Sequence, residues 1–328
     1  MTAETAPVRP ESPGALIRRR NLSIGDPLLG WGVRLLSWLA LAAILLMLVD
    51  TALHSAKLLQ HESILDFLFG LSWEPASTIY GAVPFVYGTV VTSILALVLA
   101  VPLALGAALL VNEYLPTRVA APIAYGIELL AAVPSVVYGF WGIVVLVPVL
   151  RSFEQAVSGS PAGGLPILSG PVPGPSYFVA GVILAVMILP IVTSVARDAI
   201  RATPRLQREG ALALGATHWE TIKHVVLPFA RGGIFAGVIL GLSRAIGETI
   251  AVLFVIGNQP QVNASIFAPG YSLPSVIAGE FAEANQPFHS EALIALGVVL
   301  FLISFAVNLA ARRVVARFEQ RAGGADVR

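Results

Sequence analysis

Apolar residues fall into six long blocks along this chain, at 31–53, 87–111, 125–150, 177–197, 231–257 and 291–311. An α-helix needs about 20 such residues to cross the hydrocarbon core of a bilayer, and each block supplies them. The pattern predicts an all-α polytopic membrane protein with six spans within residues 29–315. Pro102 lies in the second block, Pro134 and Pro148 in the third, and Pro190 in the fourth. Prolines are tolerated in spans when neighbouring groups satisfy the carbonyls they free. Gly139, Gly142, Gly237, Gly241 and Gly247 are expected to be places where helices approach closely. There is no visible internal repeat of the kind that builds the two halves of a secondary carrier.

The connections carry the polar residues. Residues 61–69 and 272–284 place apolar side chains at helical spacing, among them Leu273, Val276, Ile277 and Phe281. They read either as short surface helices or as loop packed on the bundle. Residues 158–175 are rich in Gly, Pro and Ser and predict an irregular loop. Six spans put both termini on one side of the membrane. Of the 20 lysines and arginines, 17 fall on that side, including Arg197, Arg201, Arg205, Arg208, Lys223 and Arg231 of the fourth connection. Lys57 and Arg151 fall on the other side, and Arg244 lies within a span. The positive-inside rule then places both termini and the fourth connection in the cytoplasm.

Composition agrees with a chain dissolved mostly in lipid. Charged residues make up only 12% of the sequence, about half the share of a soluble domain, and mean hydropathy is +0.82. The absence of cysteine excludes disulfides, thiol catalysis and Cys-based metal sites. Residues 1–28 contain Arg18, Arg19 and Arg20 but no apolar run beside a small-residue cleavage site. They are expected to be a retained, flexible cytoplasmic tail, and residues 316–328 a second one.

The fourth connection, spanning 198–230, contains REGALALGATHWETIKHVVLP. This predicts two short helices bent at Gly215, the second ending at Pro228. The spacing resembles the EAA loop of ABC importer permeases: Glu-Ala-Ala, three residues, Gly, nine residues, then Ile-x-Leu-Pro. Glu209, Gly210 and Ala211 open the match, Gly215-Ala216 follows, and Val225, Leu227 and Pro228 close it. Gly210 and Val225 depart from the pattern. In that family the loop is a coupling helix seated on a separate ATPase, so the resemblance implies the type I ABC importer permease fold and a non-catalytic membrane subunit. This chain has no GxxxxGK[ST] motif of its own.

Ionisable residues inside the spans narrow the chemistry. Arg244 and Glu248 lie in the fifth block and Glu128 in the third, where each charge costs roughly 2.5–3.5 kcal/mol to insert. Residues four apart on a helix are neighbours on one face. Arg244 and Glu248 therefore form either a structural clasp or part of an anion pathway, with Glu128 as a further member. Residues 244–249 (RAIGET), running on to 254–258 (FVIGN), resemble the phosphate-specific Pst permeases, and with 128–139 (ELLAAVPSVVYG) they resemble the PstC type. The likeness runs from about residue 67 to 310. It implies phosphate as cargo, a PstA-like second permease, a PstB-like ATPase dimer that uses the ATP, a PstS-like extracytoplasmic binding protein, and no cofactor or nucleic acid on this chain. A permease for another oxyanion is the alternative. An ion-coupled carrier would call for repeats and broken helices. An intramembrane enzyme would call for a nucleophile or metal set, which the five histidines do not supply in HExxH spacing.

The orientation has a direct test. Single cysteines in 258–290 are expected to react with an impermeant thiol reagent added to intact spheroplasts, and those in 205–225 only after lysis. The reverse pattern would invert the topology.

Overall fold

A computed structural model describes residues 25–55, 58 and 63–323 of the chain. Among these, six helices are long and apolar enough to cross a membrane: Leu29–Ser55, Val83–Tyr114, Ser135–Ser158, Tyr177–Arg201, His218–Gly247 and His289–Val315. The expected N-terminal tail lies outside the described residues up to position 24. The residues up to Asp50 form one compact unit and those from Thr51 another. The first unit holds most of α1 (Gly25–Ser55), in which the Arg34 guanidinium stands 6.0 Å from the centre of the Trp31 ring.

The second unit is built around α7 (Tyr177–Arg201), which begins where the Ser176 side chain accepts a hydrogen bond from the Val179 N–H. Tyr177, Ile183, Leu184, Ile188, Val192, Ala196 and Ile200 are all buried, so apolar residues cover nearly every side of this helix. On one side it meets α3 (Val83–Leu109), and on another α10 (Leu227–Gly247). Helices in lipid gain little from burying apolar area and associate through close packing, which favours small residues. Ala96, Ala100, Ala104 and Ala108 recur every four residues on α3 and are all fully buried, forming one stripe down the helix. On α10, an added Cβ at Gly241 would stand 2.9 Å from Val192, and one at Gly237 would stand 3.1 Å from Val195. Gly139 and Gly142 are equally tight, whereas Gly247 has nothing within 4 Å, so that expected contact is absent.

Two expected spans are interrupted. The third divides into α4 (Thr117–Ala132), α5 (Ser135–Trp141) and α6 (Val147–Ser158). Val133 adopts an extended conformation because the Pro134 ring disfavours α geometry in the residue before it. The fifth begins earlier than expected. After α8 (Arg205–Ala213), α9 (His218–Thr221) runs through a π-helical turn at Ile222–Val226 into α10. Pro228 therefore does not stop the helix. The Leu227 N–H reaches back five residues to Ile222, and this wider turn leaves room for the ring that would collide with the carbonyl four residues back. The same device, a Val147 N–H bonded to Gly142, precedes Pro148. The fifth span then breaks at Glu248 and resumes as α11 (Ile250–Val255).

At the N-terminal end of α7, both periodic connections form helices, α2 (Ile64–Phe69) and α12 (Leu273–Glu280); positions 61 and 62 lie outside the described residues. A short hairpin pairs β1 (Trp73–Glu74) with β2 (Ile79–Tyr80). The Trp73 indole N–H donates to Glu280 at 3.0 Å, and His289 contacts the same carboxylate at 3.0 Å. His289 opens α13 (His289–Gly323), which continues into the segment expected as a C-terminal tail. Residues 165–175 are irregular.

Space rather than propensity sets the glycine at 139. A Cβ there would stand 2.7 Å from the Phe254 ring and 2.9 Å from the Ala251 backbone. Gly139→Val is expected to destabilise the purified protein by about 1–3 kcal/mol, the usual cost of overpacking. Gly106→Ala, on an open face with nothing within 4 Å, is expected to cost nothing. Thermal unfolding in detergent compares the two.

Candidate functional site

The two helix breaks lie together, because the half-helices that follow them, α5 and α11, pack on each other. At the first break the Tyr138 hydroxyl donates to the Leu130 carbonyl at 2.7 Å, satisfying one of the acceptors freed at the end of α4. At the second, Glu248 leaves the helix with extended backbone and turns its side chain inward. Its Oε1 accepts from the Ala251 N–H at 3.5 Å, and its Oε2 lies 3.8 Å from the Arg244 guanidinium. The carboxylate thus sits between the last turn of α10 and the first turn of α11, where the free N–H groups of a helix favour negative charge.

Burial within the pair is uneven. The Glu248 side chain is 8% exposed and that of Arg244 is 42% exposed. A separation of 3.8 Å is an ion-pair contact and not a hydrogen bond, so the guanidinium keeps its donors for other partners. Arg244 and Glu248 therefore stand at the junction of α10 and α11, and α11 packs on α5, which carries Tyr138. Glu128, the third expected member, is engaged elsewhere: on α4 it binds Arg197 of α7 at 2.6 Å.

The loop ahead of α10 has the bend expected of it. Gly215 has φ +88°. Its N–H donates to the Leu212 carbonyl and the Ala216 N–H to the Ala211 carbonyl, closing α8 with the paired bonds of a Schellman motif. Thr217 then caps α9: its hydroxyl accepts from the Glu220 N–H, and the Glu220 carboxylate accepts from the Thr217 N–H at 2.8 Å. Glu209, Gly210, Gly215 and Pro228 are exposed, and Ala211, Ala216 and Leu227 half-buried. Beside them, Leu206, Leu214 and Trp219 are 82%, 92% and 56% exposed, an apolar surface on a basic loop.

Sequence reasoning missed what holds this loop to the bundle. The chain after α3 makes a π-helical turn at Leu110–Tyr114 and there presents Asn112 and Glu113. Glu113, whose side chain is 5% exposed, accepts two hydrogen bonds from Arg208 of α8, at 2.7 and 2.8 Å. The other Arg208 nitrogen donates to the Ile200 carbonyl at 2.7 Å. Asn112 donates to the Arg197 carbonyl and accepts from Arg201. No local spacing signals these pairs, because their partners are 85 to 95 residues apart.

Comparison with known proteins places this arrangement. Residues 100–321, more than half of the chain, match the family model described as binding-protein-dependent transport system inner membrane component. The chain is 42% identical over 262 residues to a phosphate transport system permease protein PstC of Mesorhizobium japonicum, covering 79% of this chain and 80% of the relative. It is 37% identical to the PstC of Xylella fastidiosa, covering 98% of this chain and all of the relative. The chain belongs to the PstC permease family. Among solved structures, the inward-facing MetNI methionine ABC transporter aligns with a TM-score of 0.53 at 15% identity, over 75% of this chain and 99% of that one. A bacterial ABC transporter that imports alginate aligns with a TM-score of 0.53 at 16% identity, over 88% and 98%. PstC membership and the ABC importer permease fold separate the chain from an ion-coupled carrier. Broken helices do not, since two are present here.

Two glycines of the PstC loop separate conformation from space. Neither Gly210 nor Gly215 has an atom within 4 Å of an added Cβ, but only Gly215 has positive φ. Gly215→Ala is expected to destabilise the bend by about 1–2 kcal/mol, whereas Gly210→Ala, inside α8, is expected to gain about 0.5–1 kcal/mol. Amide hydrogen exchange across 205–221 should speed up in the first variant and slow down in the second.

Proposed function

We propose that this chain is the membrane-spanning permease subunit of an ATP-driven importer that carries inorganic phosphate into the cell. The observation that carries the reading is the Arg244–Glu248 pair at a helix break, with a half-exposed guanidinium over a buried carboxylate. A guanidinium presents planar, multiple donors that match the oxygens of phosphate. Glu248 supports it and keeps its charge from being fully free, so an anion is attracted without being trapped. The names of the PstC relatives supply the cargo.

The chain hydrolyses nothing itself in this reading. A PstB-like ATPase dimer binds the loop around Glu209–Gly215, a PstA-like permease completes the pathway, and a PstS-like protein delivers phosphate from outside. Both termini and the loop lie in the cytoplasm. The loop's second half is continuous with α10 from His218 to Gly247, so a push on it travels about 39 Å along one rod to Arg244. Glu128, paired with Arg197, belongs to the inward end of the same path.

Radiolabelled phosphate uptake in vesicles carrying the full complex tests the assignment. Arg244→Lys keeps the charge but loses the fork, and uptake is expected to fall while remaining measurable. Arg244→Gln is expected to abolish it. In the Arg244→Gln/Glu248→Gln double variant the stranded buried charge is removed, so assembly should recover while uptake stays absent. Uptake restored in the double variant would reduce the pair to a structural clasp.

A further inference from the structure

Away from the helix breaks, where α7 passes into α8, the basic end of the molecule holds a cavity of about 310 Å³. Its wall includes Arg201, Thr203, Arg205 and Arg208, with Asn112 and Glu113 opposite. That volume holds several waters' worth of space and is ample for a tetrahedral oxyanion. The charges do not cancel. Glu113 is committed to Arg208 through both carboxylate oxygens. Arg201 uses its Nε on Asn112, which leaves both terminal nitrogens of its fork for another acceptor. Arg205 is exposed at the first position of α8.

Two further features point to an acceptor here. α8 starts after Pro204 with no side chain capping it; the Gln207 N–H turns back to the Pro204 carbonyl, and the Arg205 and Leu206 N–H groups stand at the positive end of the helix dipole with no protein acceptor among the described residues. Independently, Thr203 is 4% exposed, lines the cavity, and its hydroxyl has no hydrogen-bond partner among the described residues. Burying a hydroxyl without a partner is costly, and cationic forks, a helix N-terminus and a hydroxyl donor together form the usual donor set for a phosphoryl group.

We propose that this cavity is a second anion site, which binds the phosphoryl oxyanion of inorganic phosphate or of a lipid headgroup at the junction of α7 and α8. The site is separate from Arg244 and does not depend on the transport reading. It joins the end of a membrane helix to the loop that carries Glu209–Gly215, so its occupancy adds bonds between loop and bundle in parallel with Arg208–Glu113.

The test uses the full chain, with any subunits that copurify, in the Arg244→Gln/Glu248→Gln background, which removes the other candidate phosphate site and leaves no stranded charge. In phosphatidylcholine nanodiscs, equilibrium dialysis measures radiolabelled phosphate binding. In nanodiscs with added phosphatidylglycerol, native mass spectrometry measures lipid retention. Arg205→Gln is expected to weaken binding about tenfold or more through loss of a charge-assisted contact, and Thr203→Val about fivefold through loss of a neutral one. Thr203→Ser, which keeps the hydroxyl, should bind as the parent does. That pattern in the phosphate arm identifies a free-phosphate site, and the same pattern only in the lipid arm identifies a headgroup site. If neither ligand responds to Thr203→Val and Arg205→Gln, the proposal is wrong.

Discussion

Inside hydrocarbon, a peptide N–H or C=O that loses its helical partner has no water to turn to, and each one left bare costs several kcal/mol. A chain that breaks its spans must therefore provide substitutes from its own side chains. Here it does so twice, with the Tyr138 hydroxyl on the Leu130 carbonyl and the Glu248 carboxylate on the Ala251 N–H. Both substitutes are polar groups placed deep in the bundle, and one brings a charge with it. Arg244 then has a physical reason to be where it is, because it offsets the charge that the broken backbone required. Irregular backbone and the buried charge pair are therefore parts of one arrangement.

The rest of the bundle is organised to keep those breaks in place. α7 is buried along its length, and small residues on α3 and α10 let both come close to it. α5 and α11 touch through Gly139, so the two interrupted spans brace each other. At the arginine-rich end, tight packing gives way to charge. The buried Glu113 carboxylate is held through both of its oxygens by one terminal nitrogen of Arg208, while the other terminal nitrogen binds the Ile200 carbonyl, and such hydrogen bonding is what compensates a desolvated ion pair. Breaking it from either side would strand a buried charge, so the loop is tied at its base while its apolar tip remains exposed.

Much of this was legible in the sequence because some signals are local. The length of the apolar blocks gave the spans, the arginine asymmetry gave an expected orientation, and Gly215 with its flanking residues gave the bend. Proline was the ambiguous signal. Pro102 and Pro190 lie within regular helix, Pro134 ends a helix, and Pro228, expected to end one, sits in its first turn. The outcome depends on whether a neighbouring turn can widen or a side chain can take over the freed carbonyl, and neither is local information. Charge partners were hidden for a similar reason. Glu128 looked like a companion of Arg244 because both lie in apolar blocks, but its partner Arg197 is 69 residues away and reaches it only through the packing of α4 on α7. Glu113, closely held by Arg208, stood at the end of an apolar block and drew no attention.

The wide turn at Ile222–Val226 also fixes a phase relation. A π-helical turn stores one surplus residue, and one residue is worth about 100° of rotation about a helix axis. Everything beyond it is therefore turned by that angle relative to what an unbroken α-helix would give. The direction in which Arg244 points, seen from the capped turn at Thr217, is set as much by this surplus as by the number of residues between them. Losing a single residue from 222–226 would leave every contact type available and the composition almost unchanged. It would still swing the guanidinium through more than a quarter of a circle relative to the capped turn at Thr217, like a key cut correctly but inserted on the wrong edge.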